Sequence, residues 1–379
     1  MITTINNKHK KLNVPNIRFP EFSGEWEEST IGEQFDLYSG NTPSRFNKEY
    51  FNGNVNWISS GELKEHYIYS SKEQISEEAA RNLKLLPIGT FVIAIYGLEA
   101  EGVRGTGSII KEPSTISQAC MSFISKGAIG NEFLYSWYKK HGNVIGIRYA
   151  QGTKQQNLSY DILESFKIAY PCTKEQKKLN KFVTLLDERI ATQTKIIDRL
   201  QTLIKGIGKH LFTNSANWKT AKIGELLRIG NGKDYKHLGI GKIPVYGTGG
   251  QMLLVNDYLY DGDSVCIGRK GTIDKPMFLT NKFWVVDTLF YTYDFKDILP
   301  KFCYYLFQQI NWKLFNEGTG VPSLSKSTIE NIKVKIPTLE QQTKISTFLS
   351  SLERKVEIEK MSLNAMKKEK QYLLRQMFI

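Results

Sequence analysis

The residues best equipped to contact a ligand lie in glycine turns. Arg104 sits in the run Gly-Val-Arg-Gly-Thr-Gly, and Arg269 and Lys270 sit in Ile-Gly-Arg-Lys-Gly-Thr. Lys233 follows Gly230-Asn231-Gly232. A second group follows two Gly-Thr steps: Lys154, Gln155, Gln156 and Asn157 after Thr153, and Thr319 through Ser323 after Gly318. Glycine lets backbone approach a partner closely. Gln and Asn present the paired donor and acceptor that match adenine, while Arg and Lys suit guanine or phosphate. Taken singly, each of these positions also reads as a solvated turn.

Catalytic chemistry is not suggested. No G-x-x-x-x-G-K-S/T phosphate loop is present, because Gly230-Asn231-Gly232-Lys233 is only a glycine turn followed by lysine. No two prolines adjoin, so the Asn/Asp-Pro-Pro-aromatic signature of amino-methyltransferases is missing. His9, His66, His141, His210 and His237 show no metal-ligand spacing, and the acidic pairs Glu99/Glu101 and Asp261/Asp263 lack a third ligand or a base. Cys120, Cys172, Cys266 and Cys303 are far apart, which predicts reduced thiols rather than disulfides or a metal site. The pattern is that of a reader without a catalytic site, metal or cofactor of its own.

Composition agrees with a polyanionic partner. The 379 residues carry a formal charge of +13, with 41% hydrophobic and 12% aromatic residues, enough to build packed domains. That charge favours nucleic acid, and no segment pairs a dense basic face with a broad apolar one as a membrane surface would require. No apolar run approaches a membrane span and no signal-peptide pattern is present, so a cytoplasmic protein without membrane association is expected.

The elements that must position these turns come as a duplication. Residues 152–212 lie without a gap on 318–378, with identities at Gly152/Gly318, Leu158/Leu324, Ser159/Ser325, Glu164/Glu330, Pro171/Pro337, Gln176/Gln342 and Phe212/Phe378. Each copy has a short apolar run, Phe166–Tyr170 or Ile332–Ile336, closed by a proline that ends pairing ahead of a helix. The apolar rhythm then changes to threes and fours. It places Leu179, Leu186, Ile190, Ile197 and Leu200 on one helix stripe, and Ile345, Leu352, Val356, Leu363 and Met366 on the other. Such stripes predict two long helices, each about 50 Å between its outer seam positions. They most simply bury their stripes against each other as a coiled coil; the alternative is a pair of ordinary amphipathic helices, each packed on its own domain. Gln193 and Glu359 interrupt both stripes at the same place, as polar register markers do. Gly206 and Gly208 predict fraying of the first helix, and Lys370 stands where Ile204 implies an apolar seam residue.

Ahead of each block the order also repeats. Trp26 with Ile31-Gly32-Glu33 matches Trp218 with Ile223-Gly224-Glu225. The bodies between read as short β-runs separated by glycine turns, 55–59, 89–97 and 117–125 resembling 242–247, 263–271 and 283–293, with helical stretches at Glu132–Lys140 and Lys301–Phe315 whose aromatics belong in a core. The expected class is α/β (α+β): two β-rich domains at opposite ends of the helix pair, related by a pseudo-two-fold repeat. The expected boundaries are a lead-in at 1–16, domains at 17–173 and 213–338, and spacer helices at 174–212 and 339–379.

Over nearly its whole length the chain resembles the specificity subunit of type I restriction-modification systems. The resemblance is carried by Arg18-Phe19-Pro20-Glu21-Phe22, by Trp26 and Ile31–Glu33 with their echo at Trp218 and Ile223–Glu225, and by the paired blocks with Glu175-Gln176 and Glu340-Gln341-Gln342. It implies two α/β target-recognition domains at opposite ends of an antiparallel coiled-coil pair of the long helices, each reading one half of a split double-stranded DNA sequence, with the helices setting the gap. It also implies two adenine-N6 methyltransferase (M) subunits, which bind S-adenosylmethionine, and two ATP- and Mg-dependent motor-nuclease (R) subunits. The chain itself would be a non-catalytic part of a bacterial defence complex. The alternative is a non-catalytic helical scaffold or regulatory protein whose basic charge is incidental.

Overall fold

The computed structural model describes residues 13–99, 102–152, 156–213 and 217–379. The chain divides into one unit of residues 1–194 with 362–379, and a second of residues 195–361. Both long helices are shared between the two.

The first unit runs β1 (Glu27–Thr30), α1 (Ile31–Gln34), β2 (Phe35–Ser39), β3 (Val55–Ile58), β4 (Tyr67–Ile68), β5 (Glu73–Ile75) and α2 (Glu77–Ala80). It continues with β6 (Phe91–Ala94), β7 (Gly107–Ile110), β8 (Ser114–Ile116), β9 (Cys120–Ser125), α3 (Asn131–Arg148), α4 (Tyr160–Ser165), β10 (Lys167–Tyr170) and α5 (Thr173–Thr213). The remaining elements are β11 (Lys219–Lys222), α6 (Ile223–Leu226), β12 (Arg228–Asn231), β13 (Ile240–Gly247), β14 (Gly250–Val255), β15 (Tyr260–Asp261) and β16 (Ser264–Gly268). Then follow β17 (Met277–Leu279), β18 (Lys282–Val285), β19 (Leu289–Tyr293), α7 (Pro300–Gln309), α8 (Lys326–Asn331), β20 (Lys333–Ile336) and α9 (Leu339–Met377).

The sheets show that the duplication extends through the bodies. The order β2-β9-β6-β7-β4 of the first unit corresponds to β12-β19-β16-β17 of the second, with β4 added. The order β5-β3-β8 corresponds to β14-β13-β18, with β15 added, and in both the second pair is parallel. The pair β1-β10 corresponds to β11-β20. The central strands β6 and β16 are buried along their whole length, which is why both read as unbroken apolar runs.

The repeated Trp-Ile-Gly-Glu entry is a structural device. Ile31 and Ile223 are core residues. The carboxylates of Glu33 and Glu225 accept the backbone N–H of Thr30 (3.0 Å) and Lys222 (2.9 Å), closing the helix starts. A Cβ on Gly32 would lie 2.1 Å from Glu164 Cγ, and one on Gly224 would lie 3.0 Å from Glu330 Cβ. The glycine therefore lets α4 or α8 come close.

The helix α5 is 41 residues long and α9 is 39. Gln176 and Gln342, fully buried near their starts, join each body to its helix by matching bonds. Gln176 donates to Ala128 O (2.8 Å) and Pro171 O (2.9 Å), and its Oε1 accepts the N–H of Gly130 (3.0 Å). Gln342 donates to Asp297 O (2.9 Å) and Pro337 O (3.0 Å), and accepts the N–H of Leu299 (2.8 Å). Each clamp sets the loop leading into α3 or α7. The first unit adds a fork from Arg18 to the buried Glu175 at 2.8 and 2.7 Å. In the second unit Gln341, at the position matching Glu175, is exposed.

Along the stripes Leu179, Ile197 and Val356 are buried. Leu186, Ile190, Leu200, Ile345, Leu352, Leu363 and Met366 are half-buried. Leu179 and Val183 join the first unit's core with Leu374, Met377 and Phe378. The predicted fraying does not occur: α5 continues through Gly206 and Gly208 to Thr213. Gly208 is buried, and a Cβ there would stand 3.3 Å from Gln309 Nε2, so its lack of a side chain admits α7. Lys370, the charged departure from the stripe, forms an ion pair with Asp187. The stretch at Lys301–Phe315 is broken after Gln309 and resumes as a tight 3-10 turn at Trp312–Phe315.

Candidate nucleic-acid interface

In the second unit, strand β16 delivers Arg269 and Lys270 into solvent at its end. The Gly-Thr loop comes to meet them. Lys270 pairs with Ser323 as an isolated β-bridge, the N–H of Gly271 donates to Pro322 O (2.8 Å), and the N–H of Leu324 donates to Arg269 O (2.9 Å). The loop holds its own shape through Asn316, whose Oδ1 accepts the N–H groups of Gly318 (3.0 Å) and Ser323 (2.8 Å). Asn231, Arg269, Lys270, Ser323 and Lys326 surround a shallow cavity of about 360 Å³. Thr319 is exposed farther along the loop.

Lys233 is exposed on the turn after β12 and does not line that cavity. Its backbone is fixed, because its carbonyl accepts the Trp284 indole N–H (2.9 Å). The preceding Gly232 has no room for a side chain: a Cβ would lie 2.0 Å from Val286 O.

The first unit presents a similar meeting of loops. Past β6, Tyr96 forms an isolated bridge with Asn157, and the N–H of Leu158 donates to Ile95 O (2.9 Å). The N–H of Leu98 donates to Gln156 O (3.2 Å), and the N–H of Gln156 donates to Glu99 Oε2 (2.8 Å). That backbone donor holds the Glu99 carboxyl below the usual carboxylate range. Glu99, considered from sequence as half of an acidic pair, thus braces the Gly-Thr loop. Gln156 and Asn157 are half-buried, and Lys154 and Gln155 lie outside the described residues.

Arg104 points inward more than its turn suggests. Its Nη2 donates to Gln156 Oε1 (3.1 Å), its Nε is buried without a hydrogen-bond partner, and its aliphatic portion lies against Gly146 of α3. It orients Gln156. The residue sequence reasoning missed is Tyr96, which is exposed at the turn tip. Its signal is a fully apolar strand ending in one exposed residue and a glycine.

These surfaces offer cations, amides, hydroxyls and a phenol for binding. Among the described residues, no group of three His, Cys, Asp or Glu could hold a metal ion. Among them also, no helix is long and apolar enough to cross a membrane.

Residues 23–202 and 215–368 match the family model of the type I restriction modification DNA specificity domain, and the chain belongs to that family. It is 24% identical over 235 residues to the MjaIX specificity subunit of Methanocaldococcus jannaschii, covering 55% of this chain and 53% of the relative. It is 31% identical over 191 residues to the EcoR124I/EcoR124II specificity subunit of Escherichia coli, covering 48% and 47%. The chain thus spans about half the length of these two relatives. A longer match, 21% identical, covers 94% of this chain and 92% of the M. jannaschii MjaVIII specificity subunit. In fold it is similar to the crystal structure of a type I restriction-modification S subunit from M. genitalium, with a TM-score of 0.61 at 17% identity, covering 97% and 99% of the two chains.

Proposed function

We propose that this chain is the DNA-reading subunit of a type I restriction-modification complex, each unit reading one half of a bipartite duplex target. The observation that carries this reading is the doubled loop pair: each unit brings a strand-end turn and a Gly-Thr loop together at its surface. In the second unit the turn exposes two cations on a chain of net charge +13. Phosphate contacts from Lys and Arg supply affinity, and donors or acceptors in the loops discriminate bases.

Arg104, Lys154, Gln155, Gln156 and Asn157 serve the first half-site in this proposal, Arg104 by holding Gln156. Lys233, Arg269, Lys270, Thr319 and Ser323 serve the second. Two methyltransferase subunits, with S-adenosylmethionine, would modify adenine at N6, and two motor-nuclease subunits would use ATP and Mg. The long helices would set the gap between half-sites. Forty-one residues of helix make about 60 Å, more than the roughly 34 Å between successive major-groove faces.

Long-read mapping of modified adenines in cells expressing the chain with its methyltransferase partner tests the proposal. The expected result is a split motif with a fixed gap. Four residues inserted after Gln193, about one helical turn, should lengthen that gap. A continuous motif, or no modification dependent on this chain, would contradict the proposal.

A further inference from the structure

The backbone frame of the two strand-end turns corresponds at four points. Ile95 donates its N–H to Ala119 O (2.9 Å) and Arg269 donates to Thr288 O (2.8 Å), in each case the residue just before β9 or β19. Ile95 O and Arg269 O each accept from the leucine of the Gly-Thr block, Leu158 or Leu324, at 2.9 Å. The bridges Tyr96–Asn157 and Lys270–Ser323 then coincide, since Asn157 and Ser323 each directly precede that leucine. Gly97 and Gly271 follow with φ of +73° and +86°, a conformation that side chains with a Cβ rarely adopt. These four correspondences make Tyr96 the counterpart of Lys270. Arg104 is not the counterpart of either basic residue.

We propose that Tyr96 and Lys270 occupy one and the same reading position in the two units, each discriminating bases in its own half-site, the first with a neutral aromatic and the second with a cation. This rests on the chain being a DNA-specificity subunit. The surrounding frame is repeated and the exposed tip is not, which is the arrangement needed for two similar domains to recognise different sequences. Tyr96 is 37% exposed, so the residue is accessible to a partner although its backbone is held in the bridge. A phenol can donate or accept a hydrogen bond and offers an apolar face to a thymine methyl. An ammonium donates to guanine O6 or N7, or meets phosphate, and releases counterions when it does so.

The two tips therefore differ in salt dependence as well as in base preference. The test uses the full chain assembled with its methyltransferase partner. Modified adenines are mapped for wild type, Tyr96→Ala, Tyr96→Phe and Lys270→Ala, and affinity for a duplex carrying the mapped wild-type motif is followed against KCl concentration. Tyr96→Ala should relax base choice in one half-site and weaken binding about tenfold or more, leaving the slope of log affinity against log salt unchanged. Lys270→Ala should relax only the other half-site and make the slope shallower by about 1. Retained selectivity in Tyr96→Phe would assign the contact to the ring, and its loss would assign it to the hydroxyl; either result supports the inference if Tyr96→Ala relaxes its half-site. Tyr96→Ala with an unchanged motif, or with a change in the half altered by Lys270→Ala, overturns it while the DNA-reading function stands. A wild-type complex that modifies no split motif overturns that function and the inference with it.

Discussion

The two units secure their bodies to the long helices with the same uncharged clamp but with differently arranged charges. Glu132 in α3 matches Lys301 in α7, each following its clamped loop by the same interval, and Asp187 in α5 matches Glu353 in α9. In the second unit these positions meet directly: Lys301 Nζ lies 3.5 Å from Glu353, which also accepts from the Tyr305 hydroxyl at 2.7 Å. In the first unit both positions are acidic, and two further residues supply the cations. His66 lies 2.9 Å from Glu132 and 3.4 Å from Asp187, the longer distance being an ion-pair approach rather than a hydrogen bond, and Lys370 pairs with Asp187. The imidazole is stacked between Tyr67 and Tyr135 at 4.0 and 3.9 Å. In the second unit no described residue is inserted in this way: Tyr304, the counterpart of Tyr135, lines an open groove of about 790 Å³ with Tyr305, Glu353 and Val356. Geometry is kept by glutamine and glycine, whose roles depend on shape, while charge is rearranged wherever the local sum still balances.

The largest expected effect tests the shared part. Gln342→Leu and Gln176→Leu each leave one buried carbonyl, one partly buried carbonyl and one N–H without the glutamine partner, and each should cost about 2–3 kcal/mol in chemical denaturation. Similar losses would confirm that the clamps are equivalent, and a neutral substitution at either would separate them. Charge removal should be asymmetric. Lys370→Met strands a mostly buried Asp187 and should cost about 2 kcal/mol, whereas Lys301→Met loosens a pair about one-third exposed and should cost under about 1 kcal/mol. Equal costs would break the contrast.

The smallest effect is the pH dependence of His66. Burial alone would lower its pKa, but the carboxylates of Asp187 and Glu132 outweigh burial, and the net shift is upward from 6.5. A folded pKa above the unfolded one means that protonated His66 contributes its full stability below pH 6.5, and that the contribution is lost as pH rises through the raised value. Thermal melts should show His66→Gln about 2–4 °C below wild type in mild acid, with the gap closing as pH rises above 6.5 and through the raised value. A gap that widens with pH would contradict the assignment.

Sequence made the helices, the closing prolines and the repeated Gln176/Gln342 visible, because a stripe and an identity both survive as letters. The likeness of the bodies was partly visible, since 89–97 and 263–271 around β6 and β16 read as similar runs, but the sheet order was not, because pairing between distant strands leaves no period in the letters. At the candidate interface the glycine turns made Arg269 and Lys270 legible, and the structure brings them to the loop of Ser323. They also pointed to Arg104, whose long side chain packs on Gly146 instead of leaving the surface. Tyr96 escaped because an aromatic after an apolar strand reads as core, whereas in the structure it is exposed and its backbone bridges Asn157. His66 and Lys370 could not be paired with Asp187 from sequence, because the three come from distant segments and follow no period.

The central claim is a division of labour between two heads built on one plan. Its most direct test replaces residues 213–317 with the equivalent body of a relative that recognises a different sequence, then maps modified adenines for parent and hybrid. One half of the motif should change while the other half and the gap stay as they were. Simultaneous change in both halves, from a hybrid that still modifies DNA, would contradict the account.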